Sequence, residues 1–254
     1  MNKTVLITGA SSGIGKELAI VYAKNGCNLV LVARSTNKLE ELKKSIIADN
    51  NVDVSVISLD LSKQESAEEL HKITQEKALK IDILINNAGF GSNGKFIDIP
   101  IDNQTDMMML NMVTLTKLSR FYIDDMLKQD SGHIVNIAST AAFQPIAKFA
   151  IYAATKAFVL HFSEAISQEL KNTNINVTAI CPGATESNFM DTSGVKKVNF
   201  LGMATSKQVA EFTFNKVKAK KVVAIHGLIN NLLVFSIRLS PRGIVRKLSS
   251  KFFD

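Results

Sequence analysis

The chain has 254 residues, of which 46% are hydrophobic, and it carries a formal net charge of +7. Two cysteines are too few for a disulfide-stapled fold, whereas the apolar content suffices for a large core with a sheet covered on both faces. The lysines are spread along helical segments without interleaved aromatic residues, so we expect no nucleic-acid partner, and the basic balance would instead attract an anionic cofactor or substrate.

Short β-type runs alternate with helical periods along the chain, which predicts a mostly parallel sheet. The predicted strands are Thr4–Ile7, Asn28–Ala33, Asp53–Leu59, Ile81–Ile85, His133–Ile137, Asn176–Ile180 and Lys221–Ala224. The predicted helices lie near Ile14–Lys24, Lys38–Asp49, Gln64–Lys80, Gln104–Leu127, Tyr152–Lys171 and Lys207–Lys218. We therefore expect an α/β fold in which 1–254 form a single Rossmann-type domain, a doubly wound seven-stranded parallel sheet with helices on both faces.

Two segments stand apart from this alternation. Residues 184–205 form the longest stretch without clear periodicity, and long loops in compact domains are often lids, so we expect a substrate lid there. Residues 227–254 place arginines and lysines among apolar residues, which predicts a basic amphipathic extension.

Several features concern compartment and metals. Cys27 and Cys181 lack CxxC spacing and are expected to be reduced thiols in a cytoplasmic protein. The histidines show no ligand spacing, so no catalytic metal is expected. The N-terminus has no signal-peptide pattern, and the apolar stretch Val222–Ile237 is interrupted by polar residues, so it is not expected to span a membrane.

A glycine-rich turn follows the first predicted strand directly and opens the first helix. The sequence there is TGASSGIG, residues 8–15, and a helix N-terminus after such a turn attracts a dinucleotide pyrophosphate. The glycine spacing is neither GxGxxG nor that of a Walker A loop. The alternative is a strand–helix connection without a ligand. The cofactor-binding residues expected in the turn are Gly9, Ser11, Ser12, Gly13, Ile14 and Gly15.

Arg34 follows the second predicted strand, where an acidic residue would bind the ribose 2′-hydroxyl of NAD. A guanidinium cannot accept that hydrogen bond but pairs well with a 2′-phosphate. We therefore expect NADP(H) as the cofactor; the alternative is a solvated cation at a helix start.

Tyr152 and Lys156 are four residues apart on a predicted helix and so share one face. Free tyrosine titrates near 10, and lowering its pKa to about 7 takes roughly 4 kcal/mol, which an ammonium about 4 Å away supplies at an effective dielectric of about 20. Tyr152 is then the candidate general acid, and Ser139 could hold a substrate carbonyl by donating to its oxygen. Taken one at a time, these residues also have structural explanations. Tyr152 and Lys156 could be a surface pair, Ser139 could cap a helix, and Asn111 could be a buried amide bonded to backbone.

Together these motifs resemble the short-chain dehydrogenase/reductase family over roughly residues 1–224, and Arg34 favours an NADP-preferring member. The extended branch of that family has different glycine spacing and longer chains and is disfavoured. The chain carries TGxxxGxG at residues 8–15, NNAG at residues 86–89 and YxxxK at residues 152–156, with Ser139 thirteen residues before the tyrosine. The closing element PGxVxT is altered to PGATES at residues 182–187, where Ser187 keeps a hydroxyl.

The resemblance implies roles for further residues. Asn111 would anchor a water that links Lys156 to solvent, and Asp60, followed by Leu61, would contact the adenine, although Asp60 could instead cap a helix. The expected contacts to the rest of the cofactor come from Asn87, Ala88, Gly89, Tyr152, Lys156, Pro182, Gly183, Thr185 and Ser187.

The expected activity is NADPH-dependent reduction of a ketone or aldehyde by a homodimer or homotetramer. Apolar residues in the loops that should face the nicotinamide predict a lipophilic substrate, unless half of them pack in the core; they are Phe90, Phe96, Phe143, Phe149, Phe189, Met190, Phe200 and Met203. The alternatives are a non-catalytic dinucleotide sensor or scaffold, and a lipid- or nucleic-acid-binding module. For the extension we consider a cleft cover, an oligomer contact and a peripheral membrane contact.

Overall fold

The computed structural model of the protein describes residues 3–186 and 203–250. Its strands are β1 (Thr4–Thr8), β2 (Asn28–Ala33), β3 (Val54–Ser58), β4 (Ile83–Asn86), β5 (Gly132–Ile137), β6 (Ile175–Cys181), β7 (Thr185–Glu186), β8 (Ala204–Thr205) and β9 (Val223–Ile225). Seven strands form one parallel sheet in the order β3-β2-β1-β4-β5-β6-β9, and β7 pairs with β8.

The α-helices of the described residues are α1 (Gly13–Lys24), α2 (Thr36–Asp49), α3 (Ser66–Glu76), α4 (Ile101–Met108), α5 (Leu115–Lys128), α6 (Ala150–Glu169), α7 (Ser206–Lys218), α8 (Leu228–Leu239) and α9 (Arg242–Ser250). A π-helix, Met109–Thr114, joins α4 to α5, and a 3₁₀-helix, Thr140–Phe143, follows β5.

Successive residues of the strands face opposite sides of the sheet, and each side is covered by helices. Val5 and Ile7 pack in a core with α1, α2 and α7, whereas Leu6 between them packs in a second core with α3 and α5. Because both faces are buried, the strands are apolar throughout, which is typical of parallel sheets.

The order of the strands reverses beside β1, which lies between β2 and β4. Ligands of doubly wound sheets bind outside the carboxyl ends of the strands at such a switch point. The glycine-rich turn follows β1, the NNAG sequence overlaps the end of β4, Ser139 follows β5 and Pro182 follows β6. All four segments therefore reach the same edge of the sheet.

The predicted fold is confirmed: the seven predicted strands are present, each within two residues of its expected bounds. The predicted helix Gln64–Lys80 is shorter than expected, because the chain leaves α3 at Lys77 and Ala78 adopts a φ of 50°. The predicted helix Gln104–Leu127 is instead α4, the π-helix and α5 in succession.

The two unassigned segments are also partly defined. Within 184–205 the described ends form the β7–β8 pair, and the remainder of the expected lid lies outside the described residues. The expected extension is helical in α8 and α9.

A buried polar network crosses the centre of the sheet. Asn86 on β4 donates to Asn136 on β5 at 2.9 Å and to Ser119 on α5 at 3.1 Å, and Asn136 donates to Ser163 on α6 at 2.9 Å. Asn136 is fully buried, so its side chain ties two strands to a helix where water cannot replace lost hydrogen bonds.

Asn136→Ala should lower the free energy of unfolding by about 3 kcal/mol, because it leaves the Asn86 amide without one acceptor and opens a cavity. Urea unfolding followed by circular dichroism measures this loss. Asn174→Ala, which removes an exposed amide bonded to Asp130, is the matched control and should change stability by less than about 0.5 kcal/mol. Equal effects of the two substitutions would show that the network contributes nothing beyond a surface contact.

Candidate active site

The glycine-rich turn is shaped by close backbone packing. Gly9 and Gly13 have φ values of 67° and 54°, a region that side chains with a Cβ rarely adopt. A Cβ on Gly15 would lie 2.3 Å from the Gly9 carbonyl oxygen and 2.5 Å from Asn87 Nδ2. Ser12, the N-cap residue of α1, makes no side-chain cap hydrogen bond, so amides of the first helical turn remain available for an anion.

The segment after β4 is hydrogen-bonded to this turn. Thr8 Oγ1 accepts from the backbone amides of Asn87 and Ala88, both at 3.0 Å. The Asn87 side chain donates to the carbonyl oxygens of Thr8 at 2.9 Å and Gly9 at 3.3 Å. The Asn87 side chain thus stabilises the turn through its carbonyl oxygens. Thr8 binds the segment after β4 in return, a role that the sequence did not predict for it.

Asn111 lies in the π-helix and joins the same segment to α6, the helix that carries Tyr152. Its side chain accepts from the Phe90 amide at 3.2 Å and donates to the Phe90 carbonyl at 2.9 Å and to Thr155 Oγ1 at 3.1 Å. Thr155 in turn donates to the Tyr152 carbonyl oxygen at 2.8 Å. The buried Asn111 amide is therefore bonded to backbone, as the alternative interpretation expected, and the water-anchoring role stays a prediction.

Tyr152, Ser139 and Lys156 meet beside the ends of β5 and β6. Ser139 hydrogen-bonds to the Tyr152 phenol, accepts from the Ala141 amide at 3.1 Å and donates to the Pro182 carbonyl at 3.5 Å. Lys156 Nζ lies 5.8 Å from the centroid of the Tyr152 ring and donates to the Ile137 carbonyl oxygen at 2.7 Å. The phenol, hydroxyl and amine expected from the sequence are thus brought together.

Burial controls the protonation of this group. Burial raises the pKa of Tyr152 to about 12, although its hydrogen bond with Ser139 opposes the change, and burial lowers the pKa of Lys156 to about 8. The expectation that Lys156 brings the tyrosine pKa near neutrality is not met: burial raises that pKa, and the amine donates to the Ile137 carbonyl oxygen. At neutral pH the phenol therefore holds its proton.

Gly89 is the point where the cofactor segment and the catalytic group approach each other. A Cβ there would lie 2.8 Å from Asn111 Oδ1 and 3.7 Å from Lys156 Nζ. Gly89 itself is exposed, so a ligand can reach the edge between the glycine turn and Lys156. The glycines of the turn and Gly89 leave the backbone accessible along this edge, and the buried amine of Lys156 lies at its end. These features fit an elongated dinucleotide.

Arg34 and Asp60 lie at the ends of adjacent strands, on the far side of the turn. The Arg34 side chain is exposed. Burial raises the pKa of Asp60, but hydrogen bonds from the Ser62 amide and hydroxyl, with the charges of Arg34 and Lys63, outweigh burial and hold it below its usual value. The alternative that Asp60 caps α3 is wrong, because the N-cap residue is Glu65 and Asp60 accepts from Ser62 instead. Leu61 is buried, and its carbonyl accepts from Thr114.

The segment after β6 is packed against the C-terminal extension. A Cβ on Gly183 would lie 2.4 Å from Asn230 Nδ2 on α8, and Thr185 Oγ1 donates to the Gly183 carbonyl at 3.0 Å. Asn230 is one of the polar residues that interrupt the apolar stretch Val222–Ile237, and the sequence did not predict this contact. Ser187 lies outside the described residues.

The apolar residues expected around the substrate fall into different environments. Phe149 is buried next to Tyr152, with ring centroids 5.9 Å apart, whereas Phe143 packs in the core between α6 and β6. Phe96 is 57% exposed, and Phe90 and Met203 are half-buried. The remaining three, Phe189, Met190 and Phe200, lie outside the described residues.

Comparison with known proteins decides the family. A family model for short chain dehydrogenases matches residues 3–198. The chain belongs to the short-chain dehydrogenase family. It is therefore an oxidoreductase with a nicotinamide dinucleotide as its cofactor.

Individual relatives of this short-chain dehydrogenase agree with the family assignment. An uncharacterized oxidoreductase of Staphylococcus aureus is 34% identical over 72% of the chain and 78% of its own length. A short-chain dehydrogenase from Sphingobium yanoikuyae, solved in complex with NADPH, is 31% identical with a TM-score of 0.84, over 93% of this chain and 94% of that one. A bulky-bulky ketone specific alcohol dehydrogenase from Comamonas testosteroni is 32% identical with a TM-score of 0.80, over 93% and 92%.

Gly15→Ala should abolish measurable NADPH binding and lower the free energy of unfolding by about 2 kcal/mol, because its Cβ would overlap the Gly9 carbonyl. Fluorescence titration with NADPH and thermal unfolding measure the two effects. Gly243→Ala is the matched control, since nothing lies within 4 Å of its added Cβ, and it should leave both quantities unchanged. Unaltered NADPH binding by Gly15→Ala would contradict the packing described for the turn.

Proposed function

We propose that this enzyme reduces a lipophilic ketone or aldehyde to an alcohol with NADPH. The observation that carries the proposal is the meeting of Ser139, Tyr152 and Lys156 at the sheet edge where the glycine turn ends. Support for the substrate class comes from Phe149, which packs beside the tyrosine, and from the bulky-ketone specificity of the Comamonas relative.

The dinucleotide would be held along the carboxyl edge of the sheet. The turn residues Gly9 to Gly15 would bind the pyrophosphate, and Arg34 would pair with the 2′-phosphate. The remaining cofactor contacts are proposed for Asp60, Leu61, Asn87, Ala88, Gly89, Pro182, Gly183, Thr185 and Ser187. When bound, the reduced nicotinamide supplies the hydride for the carbonyl carbon.

Within this arrangement the tyrosine would act as the proton donor. Its raised pKa keeps the phenol protonated at neutral pH, which is the form needed to protonate the oxygen of a carbonyl being reduced. Ser139, already bonded to the phenol, would donate to the same carbonyl oxygen and hold it in place. The nearby charge of Lys156 would favour the phenolate left after proton transfer.

A non-catalytic sensor on the same fold finds no specific support. Such a protein would not need the phenol, the hydroxyl and the amine together. The homodimer or homotetramer and the cytoplasmic location stay predictions.

Tyr152→Phe should lower kcat about a thousandfold because it removes the proton donor, while the Kd for NADPH stays unchanged. Steady-state NADPH consumption with a panel of aliphatic ketones, 3-oxoacyl thioesters and steroids, and a binding titration, measure the two. Tyr22→Phe is the matched control: the Tyr22 hydroxyl is buried without a hydrogen-bond partner among the described residues, so its loss should leave kcat unchanged. Retained turnover by Tyr152→Phe would refute the assigned role.

Arg34→Ala should raise the KM for NADPH about thirtyfold and leave the KM for NADH unchanged, because one charge-assisted contact to the 2′-phosphate is lost. Kinetics with both cofactors measure this difference. Lys44→Ala removes an exposed cation farther along α2 and should alter neither KM. A parallel increase for both cofactors would mean that Arg34 does not read the 2′-phosphate.

The rate of reduction should fall as the pH rises through about 8. Below its pKa of about 8 Lys156 is an ammonium that favours the phenolate, and above it the charge is lost, while Tyr152 with a pKa of about 12 stays protonated. A pH profile of kcat/KM measures the decline. Lys156→Arg, whose guanidinium does not titrate in this range, should be less active but lack the decline. A wild-type profile that is level up to about pH 10 would contradict the assigned coupling.

A further inference from the structure

Helix α8 exposes a continuous apolar stripe. Leu228, Leu232, Phe235 and Leu239 are spaced four, three and four residues apart, so they share one face of the helix. Their side chains are 85%, 70%, 62% and 73% exposed. Single exposed apolar residues are common, but a helical row of four large ones is typical of an interaction surface.

The opposite side of the extension is fixed to the body of the enzyme. Val234 on α8 and Val245 on α9 are buried, and Asn230 packs over Gly183. Ser249 on α9 is buried and donates to the Pro145 carbonyl oxygen at 2.6 Å. The stripe therefore faces outward, because α8 contacts the body of the enzyme through its other face, which carries Asn230 and Val234.

The chain segment that carries the stripe has basic residues and no acidic ones. The exposed cations Arg238, Arg242, Arg246 and Lys247 lie beside the stripe or on α9, where Ile244 and Leu248 are also exposed. No acidic residue occurs in the sequence between Glu211 and Asp254. An apolar row flanked by arginines and lysines is the pattern of a helix that lies in the interface of an anionic membrane.

We propose that α8 and α9 dock this enzyme on the surface of a bilayer rich in anionic lipid. The stripe enters the boundary between headgroups and acyl chains, and the four cations bind lipid phosphates. No helix in the described part of the chain is long and apolar enough to cross a bilayer, so the contact is peripheral. It depends on neither the reaction nor the substrate proposed above.

A second copy of the chain fits this surface less well. A twofold contact brings the same patch of both subunits together, so it would place the four cations of one copy opposite those of the other. Because the sequence between Glu211 and Asp254 contains no carboxylate, such a contact would bring like charges together. An anionic bilayer matches both the apolar row and the charge.

Co-sedimentation of the full-length enzyme with vesicles tests the proposal. One set of vesicles is phosphatidylcholine alone, and the other contains about one third phosphatidylglycerol. We expect binding to the anionic vesicles that exceeds binding to the neutral ones at least tenfold and is largely lost at about 1 M salt.

Two variants and one control separate the contributions of charge and of apolar area to vesicle binding. Replacing Arg242, Arg246 and Lys247 together by Glu should weaken binding to anionic vesicles by about a hundredfold or more, at about fivefold for each charge. Replacing Lys24, Lys44 and Lys77 by Glu changes the net charge equally at exposed sites on or directly after other helices, and it should leave most of the binding intact. The double variant Leu232→Ser, Phe235→Ser should abolish binding to the anionic vesicles, because it removes half of the apolar stripe. Thermal unfolding verifies that each variant is folded.

Three results would overturn the proposal. These are absence of binding to anionic vesicles by the wild-type enzyme, equal binding to both kinds of vesicle, and equal loss in the extension triple variant and its control. Sedimentation velocity without lipid examines the second-copy alternative: if the Leu232 and Phe235 variant converts an oligomer to a monomer while vesicles bind no wild-type enzyme, the stripe is a subunit interface.

Discussion

The arrangement of this site depends on the hydrogen bonds of one short segment, residues 86–90, which follows β4. At one end the Asn87 side chain donates to the Thr8 carbonyl oxygen, and Thr8 Oγ1 accepts from the Asn87 backbone amide. These two bonds attach the glycine turn to the segment. At the other end the Phe90 backbone is bonded to Asn111, which continues through Thr155 to the carbonyl of Tyr152. A chain of hydrogen bonds thus runs from the turn after β1 to the catalytic helix α6. Because most of these groups are buried, breaking one of them leaves polar atoms without water as a substitute.

The same burial sets the chemical state of the catalytic group. Desolvation disfavours both charged forms, so it raises the pKa of Tyr152 and lowers that of Lys156. At neutral pH the result is a protonated phenol beside an amine that still carries its charge, and the protonated phenol is the form that the proposed carbonyl reduction needs. The C-terminal extension borders this region as well, since α8 packs on Gly183 and α9 on Pro145. The exposed apolar stripe of α8 therefore lies on helices that contact the loops after β5 and β6, which border the site.

Much of the fold could be predicted from the sequence, because each strand of a doubly buried sheet is a short apolar run with a helical period after it. The glycine turn and the Tyr152–Lys156 spacing likewise predicted segments that lie at the same edge of the sheet. The π-helix was not predicted, because it continues the apolar period of α4 and α5 and differs only in its backbone hydrogen bonds. The orientation of Lys156 toward the Ile137 carbonyl and the packing of Asn230 on Gly183 depend on contacts between distant segments, which spacing along the chain does not encode.

The central claim is that the glycine turn and the catalytic group serve one bound dinucleotide. A crystal structure of the enzyme with NADPH tests it most directly. We expect the pyrophosphate at the start of α1, the 2′-phosphate beside Arg34 and the nicotinamide next to the Tyr152 hydroxyl. A dinucleotide bound along another edge of the sheet, or one whose nicotinamide ring lies away from Tyr152, would contradict it.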